Sequence, residues 1–120
     1  MINSLKIYYL YLISIMNNDT NVGVVKWFNN KAGYGFVTVM KGEYAGKDIF
    51  VHHSSIMTKK EQFKYLVQGE YIECEIEKSN NDKHDFIVSK VTGILHGKLM
   101  CETRYENKSN RDNKQEELSV

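Results

Sequence analysis

The stretch Lys-Ala-Gly-Tyr-Gly-Phe-Val at residues 31–37 places two aromatic residues, Tyr34 and Phe36, two positions apart. The stretch Ile-Phe-Val-His-His at residues 49–53 repeats this spacing with a Phe and a His. Side chains alternate between the two faces of a β-strand, so each pair is expected to project from one face of its strand. The sequence therefore predicts two strands that display flat rings.

The other face of both strands is aliphatic, with Val37 and Val39 on one strand and Ile49 and Val51 on the next. A sheet with one aliphatic and one aromatic face favours a core on the first and flat ligands, such as unstacked nucleobases, on the second. The alternative is that the rings form the core. Tyrosine and histidine carry polar groups whose hydrogen bonds are difficult to satisfy in a core, which argues against this alternative.

Three motifs follow one another along the chain: Val-Lys-Trp-Phe-Asn at residues 25–29, Gly-Tyr-Gly-Phe-Val at 33–37 and Asp-Ile-Phe-Val-His at 48–52. In order and spacing they resemble the cold-shock domain family, and the form of the second motif resembles its Y-box branch. The resemblance extends over residues 22–95. It implies an all-β fold, a five-stranded antiparallel OB-type barrel that binds single-stranded RNA and DNA.

Turn residues and alternation set the expected elements and segments. We expect strands at residues 22–29, 33–39, 48–53, 71–77 and 86–91. The predicted organisation is a short apolar N-terminal extension at 1–21, the cold-shock domain at 22–95 and a polar, disordered tail at 96–120. The tail is predicted to be disordered because from about Thr103 it has mixed charge and no apolar period.

The expected function is binding of single-stranded RNA or DNA with little sequence specificity, as a nucleic-acid chaperone or a regulator of transcription or translation. Rings would stack on bases while lysines hold phosphates. In the family, Lys26 and Asp48 line this surface, and Asp48 accepts hydrogen bonds from base edges. Phe28 ranks lower because alternation turns it away from its neighbour. The predicted set is Lys26, Trp27, Phe28, Asn29, Lys31, Tyr34, Phe36, Asp48, Phe50, His52, His53, Phe63 and Lys64.

Charge alone gives little support for this function, because the whole chain carries a formal net charge of only +1. The charges are, however, unevenly placed. Four glutamates lie at or beside the fourth predicted strand, whereas lysines flank the aromatic motifs. Such placement is compatible with a basic path beside the rings.

An enzyme, such as a nuclease on the same scaffold, is the alternative from another class. It would need clustered carboxylates, for which Glu73, Glu75 and Glu77 on one face of the fourth strand are the candidates. Solvent-facing glutamates are the commoner explanation, so we expect no enzymatic activity, catalytic residue, metal or cofactor. A protein-interaction scaffold is a third possibility, whose binding would survive loss of the aromatics.

The two cysteines, Cys74 and Cys101, do not indicate a disulfide framework, and with His84 and His96 they have no zinc-knuckle spacing. Cys74 is predicted to be a buried, reduced thiol. We expect a monomer that binds neither a membrane nor a small-molecule substrate. The expected location is the cytoplasm, or the nucleus if the source is eukaryotic or viral.

An apolar run at residues 7–15 is too short to span a membrane. A weak signal peptide is one explanation. We prefer a dispensable extension or a mis-assigned start, because Met16 begins a short polar lead-in to the first strand.

Overall fold

The computed structural model describes residues 2–16 and 20–118. Its elements are α1 (Ile2–Met16), β1 (Asn21–Asn29), β2 (Tyr34–Lys41), β3 (Asp48–His52), β4 (Tyr71–Lys78), β5 (Phe86–Thr92) and α2 (Met100–Leu118). Short 3₁₀ turns occupy His53–Ser55 and Ile94–His96. All five predicted strands are confirmed, and their ends differ from the predicted ones by two residues at most.

The strands close into a barrel in the order β1-β2-β3-β5-β4. The β3–β5 pairing is parallel and the other pairings are antiparallel. This confirms the five-stranded OB-type barrel that the resemblance implied, but the barrel is not antiparallel throughout. With five strands in a closed ring, strand direction cannot alternate at every pairing, so at least one pairing has to be parallel. A closed barrel leaves no unpaired sheet edge, and it turns one face of every strand towards a common core.

The division of β2 and β3 into an aliphatic and an aromatic face is also confirmed. Val37, Val39 and Val51 have no exposed surface, and Ile49 is 4% exposed. The rings of the two strands lie on the outside, exposed or half-buried. The core therefore uses the small aliphatic side chains, and the larger rings lie outside it.

A local irregularity in β1 shapes the outer face. The pairing of β1 with β2 shifts register between Val25 and Trp27, so Lys26 occupies a bulge. Val25 is buried, Lys26 and Trp27 are both exposed, and Phe28 packs partly against the core. The bulge explains how two consecutive side chains of one strand reach the same surface.

The prediction of a disordered tail from residue 96 is wrong, because α2 runs from Met100 to Leu118. Leu99 and Cys101 are fully buried, and the Glu102 side chain is buried with them. Sequence reasoning missed this helix because, among residues 100–112, whose side chains are described, only the first turn is buried against the core, and the residues after it show no apolar period. The residue before the helix is also a leucine rather than Ser, Thr, Asp or Asn, the usual signal of a helix start.

The N-terminal extension forms α1, whose described side chains are exposed, including Leu5, Ile7 and Tyr9. Residue 1, residues 17–19 and residues 119–120 lie outside the described part of the chain, so the predicted polar lead-in falls partly there. Within residues 2–16 and 20–118, neither helix has the length and apolar character needed to cross a membrane.

Candidate nucleic-acid interface

Four aromatic side chains form a contiguous cluster on the outer face of β1, β2 and β3, which we call the ring platform: Trp27, Tyr34, Phe36 and Phe50. The Trp27 ring centroid lies 5.6 Å from that of Tyr34 and 5.4 Å from that of Phe36. The Phe50 centroid is 5.8 Å from both Tyr34 and Phe36. These are ordinary distances for interacting aromatic pairs, so the rings support one another while part of each remains accessible.

Strand register brings these rings together. Trp27 of β1 pairs with Phe36 of β2, and Phe36 pairs in turn with Phe50 of β3. Two residues along the same strands, Tyr34 pairs with His52. Directly paired residues project to the same side of a sheet, which is why rings from three strands meet on one face. Trp27 is 37% exposed and Tyr34 is 38% exposed, so both present surface to a ligand.

Gly35 allows this close approach of β1 and β2. A Cβ at Gly35 would lie 2.1 Å from the carbonyl oxygen of Trp27 and 3.0 Å from the Phe28 ring. No side chain fits at those distances, so glycine is required between Tyr34 and Phe36. The same geometry places Phe28 over Gly35 on the core side, away from the ring platform.

His84 was not among the predicted site residues, yet it joins the ring platform. Its imidazole stacks on Phe50, with the centroids 4.4 Å apart and the planes only 12° from parallel, and it also meets the edge of Phe36 at 5.9 Å. His84 comes from the β4–β5 turn, far from the aromatic motifs in sequence. The pairing of β3 with β5 brings that turn beside Phe50. No pattern in the local sequence predicts this contact.

A charged pair borders the ring platform. Lys26 Nζ donates to Oδ2 of Asp48 at 2.6 Å, and the Thr38 hydroxyl donates to Oδ1 at 2.6 Å. The hydrogen bond from Lys26, followed by that from Thr38, lowers the pKa of Asp48 below its usual value. Part of the Lys26 charge is thus already neutralised within the protein, which reduces what it offers to a phosphate.

His52 and His53 follow Phe50 at the end of β3, and both are exposed. The His52 Nδ1 atom accepts the backbone N–H of Ser54 at 3.2 Å. The Ser54 hydroxyl also lies 2.8 Å from this nitrogen. In the tautomer that accepts at Nδ1, the ring proton is on Nε2, where it can donate to a ligand. The two imidazole centroids are 4.2 Å apart.

The β1–β2 turn holds Asn29 and Lys31. The Asn29 Oδ1 atom accepts the backbone N–H groups of Lys31 at 3.0 Å and Ala32 at 2.9 Å, so this side chain shapes the turn itself. The Lys31 side chain is exposed at the same edge of the barrel. Of the predicted lysines here, Lys31 is therefore better placed than Lys26 for an incoming phosphate.

Phe63 and Lys64 lie apart from the ring platform, on the long β3–β4 loop at residues 57–70. Phe63 is 68% exposed, and the centroid of its ring lies 6.1 Å from that of Tyr65. An open groove of about 530 Å³ separates this loop from the β1–β2 turn. Its walls include Lys31, His53, Phe63 and Lys64, so four predicted site residues from three segments face one groove.

The carboxylates proposed for an enzyme do not form one exposed face. Glu73 is 3% exposed, and its Oε1 atom accepts the backbone N–H of Leu95 at 2.9 Å. Glu75 and Glu77 are exposed on the same strand. Glu73 therefore has a structural role, which corrects its assignment to a solvent-facing row. Within the described ranges, no group of three or more His, Cys, Asp or Glu side chains is arranged to hold a metal ion.

The cysteine prediction is confirmed for Cys74, a free and buried thiol. Burial, and secondarily the charge of Glu73, raise its pKa to about 12. Cys101 is likewise free and buried, and burial raises its pKa above the ordinary value. The raised pKa favours the protonated form of both thiols, as is typical of buried structural cysteines.

Residues 21–91 match the model of the family described as the 'cold-shock' DNA-binding domain. The chain belongs to the cold-shock domain family. The match begins with β1 and ends one residue before the end of β5, so it covers the barrel except Thr92, includes the ring platform and stops before α2.

Relatives from plants and bacteria agree with this assignment. The chain is 37% identical over 71 residues to cold shock domain-containing protein 4 of Arabidopsis thaliana, covering 59% of this chain and 33% of that protein. It is 48% identical over 61 residues to the major cold shock protein CspA of Bacillus cereus, covering 51% and 82%. A cold shock-like protein of Thermotoga maritima is 51% identical over 55 residues, covering 46% and 74%. The matched part thus spans about a third of the plant relative and most of each bacterial one.

Proposed function

We propose that this protein binds single-stranded RNA or DNA by stacking unpaired bases on the ring platform, with little sequence specificity. The observation that carries the proposal is the set of four mutually supporting rings on the outer face of a cold-shock domain. Every base has a flat face, and stacking on an aromatic ring contributes about 1–3 kcal/mol per base whatever its identity. Such a surface selects unpaired strands because the bases of a duplex are already stacked on one another.

In this proposal the residues have different tasks. Trp27, Tyr34, Phe36 and Phe50 stack bases, while His52 donates from Nε2. Asp48 has both carboxylate oxygens engaged by Lys26 and Thr38, but each oxygen keeps a further lone pair for a base edge. Lys31 and Lys64 hold phosphates beside the groove, where Phe63 and His53 extend the surface. Phe28 and Asn29 act indirectly, by packing under β2 and by shaping the β1–β2 turn.

The physiological role that we propose is that of a nucleic-acid chaperone or a regulator of gene expression without enzymatic activity. A sequence-tolerant surface that holds strands unpaired suits either role. We also propose that the protein acts as a monomer, since the ring platform is assembled entirely from strands of one chain.

Fluorescence of Trp27, the sole tryptophan, tests the proposal directly. A single-stranded oligo-dT or oligo-U should quench its emission as a base covers the indole, whereas a duplex should do so far less. Trp27→Phe, with binding followed by anisotropy of a labelled strand, should retain more affinity than Trp27→Ala, for which we expect a loss of about 1–3 kcal/mol. Equal quenching by single strand and duplex, or full affinity in Trp27→Ala, would reject the proposal.

A further inference from the structure

The β3–β4 loop that carries Phe63 is hydrogen-bonded to the first turn of α2. The backbone N–H of Lys59 donates to Oε2 of Glu102 at 3.1 Å, and Nε2 of Gln62 donates to the carbonyl oxygen of Cys101 at 2.9 Å. Both contacts lie on the N-terminal side of Phe63 and span about forty residues of sequence. They join a loop inside the family match to a helix outside it.

The α2 side of these contacts is firmly held. Leu99 and Cys101 are fully buried in the barrel core. The second oxygen of Glu102 accepts the N–H of Leu99 at 3.0 Å, which caps the helix, and the N–H of Met100 donates to Oε2 of Glu70 at 2.7 Å. Hydrogen bonds to carboxylates are stronger than those between neutral groups. The helix start that binds the loop is therefore itself held in place by the core and by Glu70.

The Phe63 side chain itself has few means of holding its position, since it is 68% exposed. Its placement across the groove from His53 therefore depends on the backbone that bears it. A loop without helix or strand at residues 57–70 loses conformational entropy when a ligand orders it. Ordering the loop in advance removes that cost from binding.

We propose that the first turn of α2 positions the Phe63 loop, so that this C-terminal segment sets how many nucleotides beyond the ring platform the protein can hold. Glu102 is the central positioning residue, because its two oxygens join the loop to the helix start. The inference rests on the function proposed above and extends it to a segment that lies outside residues 21–91. It predicts that Phe63 contributes to binding only while Glu102 holds the loop.

A double-mutant cycle tests this with full-length protein and a labelled oligo-dT of about eight nucleotides, a length within the range of one OB barrel. Phe63→Ala should weaken binding by roughly 5- to 150-fold in the wild-type background. In the Glu102→Gln background, which keeps the size of the side chain but loses one accepting oxygen, the same change should cost about twofold or less. Tyr34→Ala on the ring platform should cost the same in both backgrounds.

Glu106→Gln is the matched control. Glu106 lies one turn further along α2 and accepts a hydrogen bond from Lys98, which together with the charges of Lys60 and Lys59 on the loop lowers its pKa. Glu106→Gln therefore removes a negative charge beside the loop without removing the hydrogen bond that holds the Lys59 backbone. It should leave the contribution of Phe63 unchanged. Were Phe63→Ala equally costly in the wild-type and Glu102→Gln backgrounds, or were Glu106→Gln as disruptive as Glu102→Gln, the positioning role would be overturned.

Amide hydrogen exchange gives a readout that does not depend on nucleic acid. The Lys59 N–H should exchange about tenfold faster or more in Glu102→Gln, while amides of the core strands keep their protection. Unchanged protection at Lys59 would overturn the inference. If the wild-type protein failed to bind oligo-dT, the proposed function would fail on its own, and the exchange rates would still decide whether Glu102 holds the loop.

Discussion

The ring platform and the Phe63 loop present aromatic side chains in two different ways. On the platform, strand register fixes the rings and neighbouring rings support each other at 5.4–5.8 Å. On the loop, a single exposed ring is placed by a backbone that is fastened to α2. The first arrangement depends on contacts within three adjacent strands, and the second depends on a segment forty residues away.

The comparison indicates that the two parts of the surface can change independently. Substitutions that preserve Gly35 and the alternation of β2 and β3 are expected to leave the contacts within the platform in place. If the first turn of α2 positions the loop, as proposed above, changes at residues 99–102 alter the outer part of the surface first. In that proposal, the length of strand that is bound and the affinity per base are controlled by different regions.

The largest effect that separates the two regions is expected from Leu99→Ala. Leu99 is completely buried, and emptying such a site costs about 2–5 kcal/mol of unfolding free energy. Urea unfolding followed by Trp27 emission measures this. The neighbouring Met100→Ala is the control, because that side chain is 42% exposed and should change stability by about 0.5 kcal/mol or less. If Leu99→Ala were as mild as Met100→Ala, the C-terminal segment would not belong to the folded unit and the comparison would break down.

The contrast also explains which features the sequence could predict. The alternation of aromatic and aliphatic residues predicted β2, β3 and the side of each on which the rings lie, because period-two patterning is a local property. The bulge at Lys26 was not predicted, although the motif placed Lys26 and Trp27 on one surface. Its cause is the pairing of β1 with β2, which alternation along a single strand does not reveal.

Features that depend on tertiary contacts were missed for a common reason. His84 is an isolated histidine in a polar turn, and only the β3–β5 pairing brings it onto Phe50. The alternation of β4 predicts that Glu73 is exposed beside Glu75 and Glu77. Its side chain is instead buried, where it accepts the backbone N–H of Leu95 as the chain turns towards α2. Leu95 has a φ of 56°, a strained conformation for a leucine, which the surrounding contacts must hold.

His84→Ala tests whether a residue outside the predicted set limits access to the platform. The imidazole covers one face of Phe50, so a base that stacks there must displace it and lose a contact of about 0.5–1.5 kcal/mol. We therefore expect His84→Ala to strengthen binding of oligo-dT by about 1 kcal/mol or less. His84→Phe, which keeps a ring over Phe50, should not. Weaker binding by His84→Ala would instead make the imidazole part of the stacking surface.

The smallest expected effect is on the free energy of unfolding and comes from the Lys26–Asp48 pair beside the platform. Measuring unfolding as a function of pH isolates this contribution. Because the folded-state pKa of Asp48 is lowered, its ionised form stabilises the fold above the unfolded-state pKa of about 3.9, and this contribution is lost as the pH falls through the folded-state pKa. The pair is partly exposed, so the contribution is about 1 kcal/mol or less. At pH 7, Asp48→Asn should be less stable than wild type by that amount, and the difference should shrink steadily below about pH 4. Asp82→Asn, in the exposed β4–β5 turn, is the matched control and should not change the free energy of unfolding in this pH-dependent way.

If the difference in unfolding free energy between Asp48→Asn and wild type stayed the same in acid, the hydrogen bond from Thr38, rather than the charge of Lys26, would be what stabilises this edge of the platform.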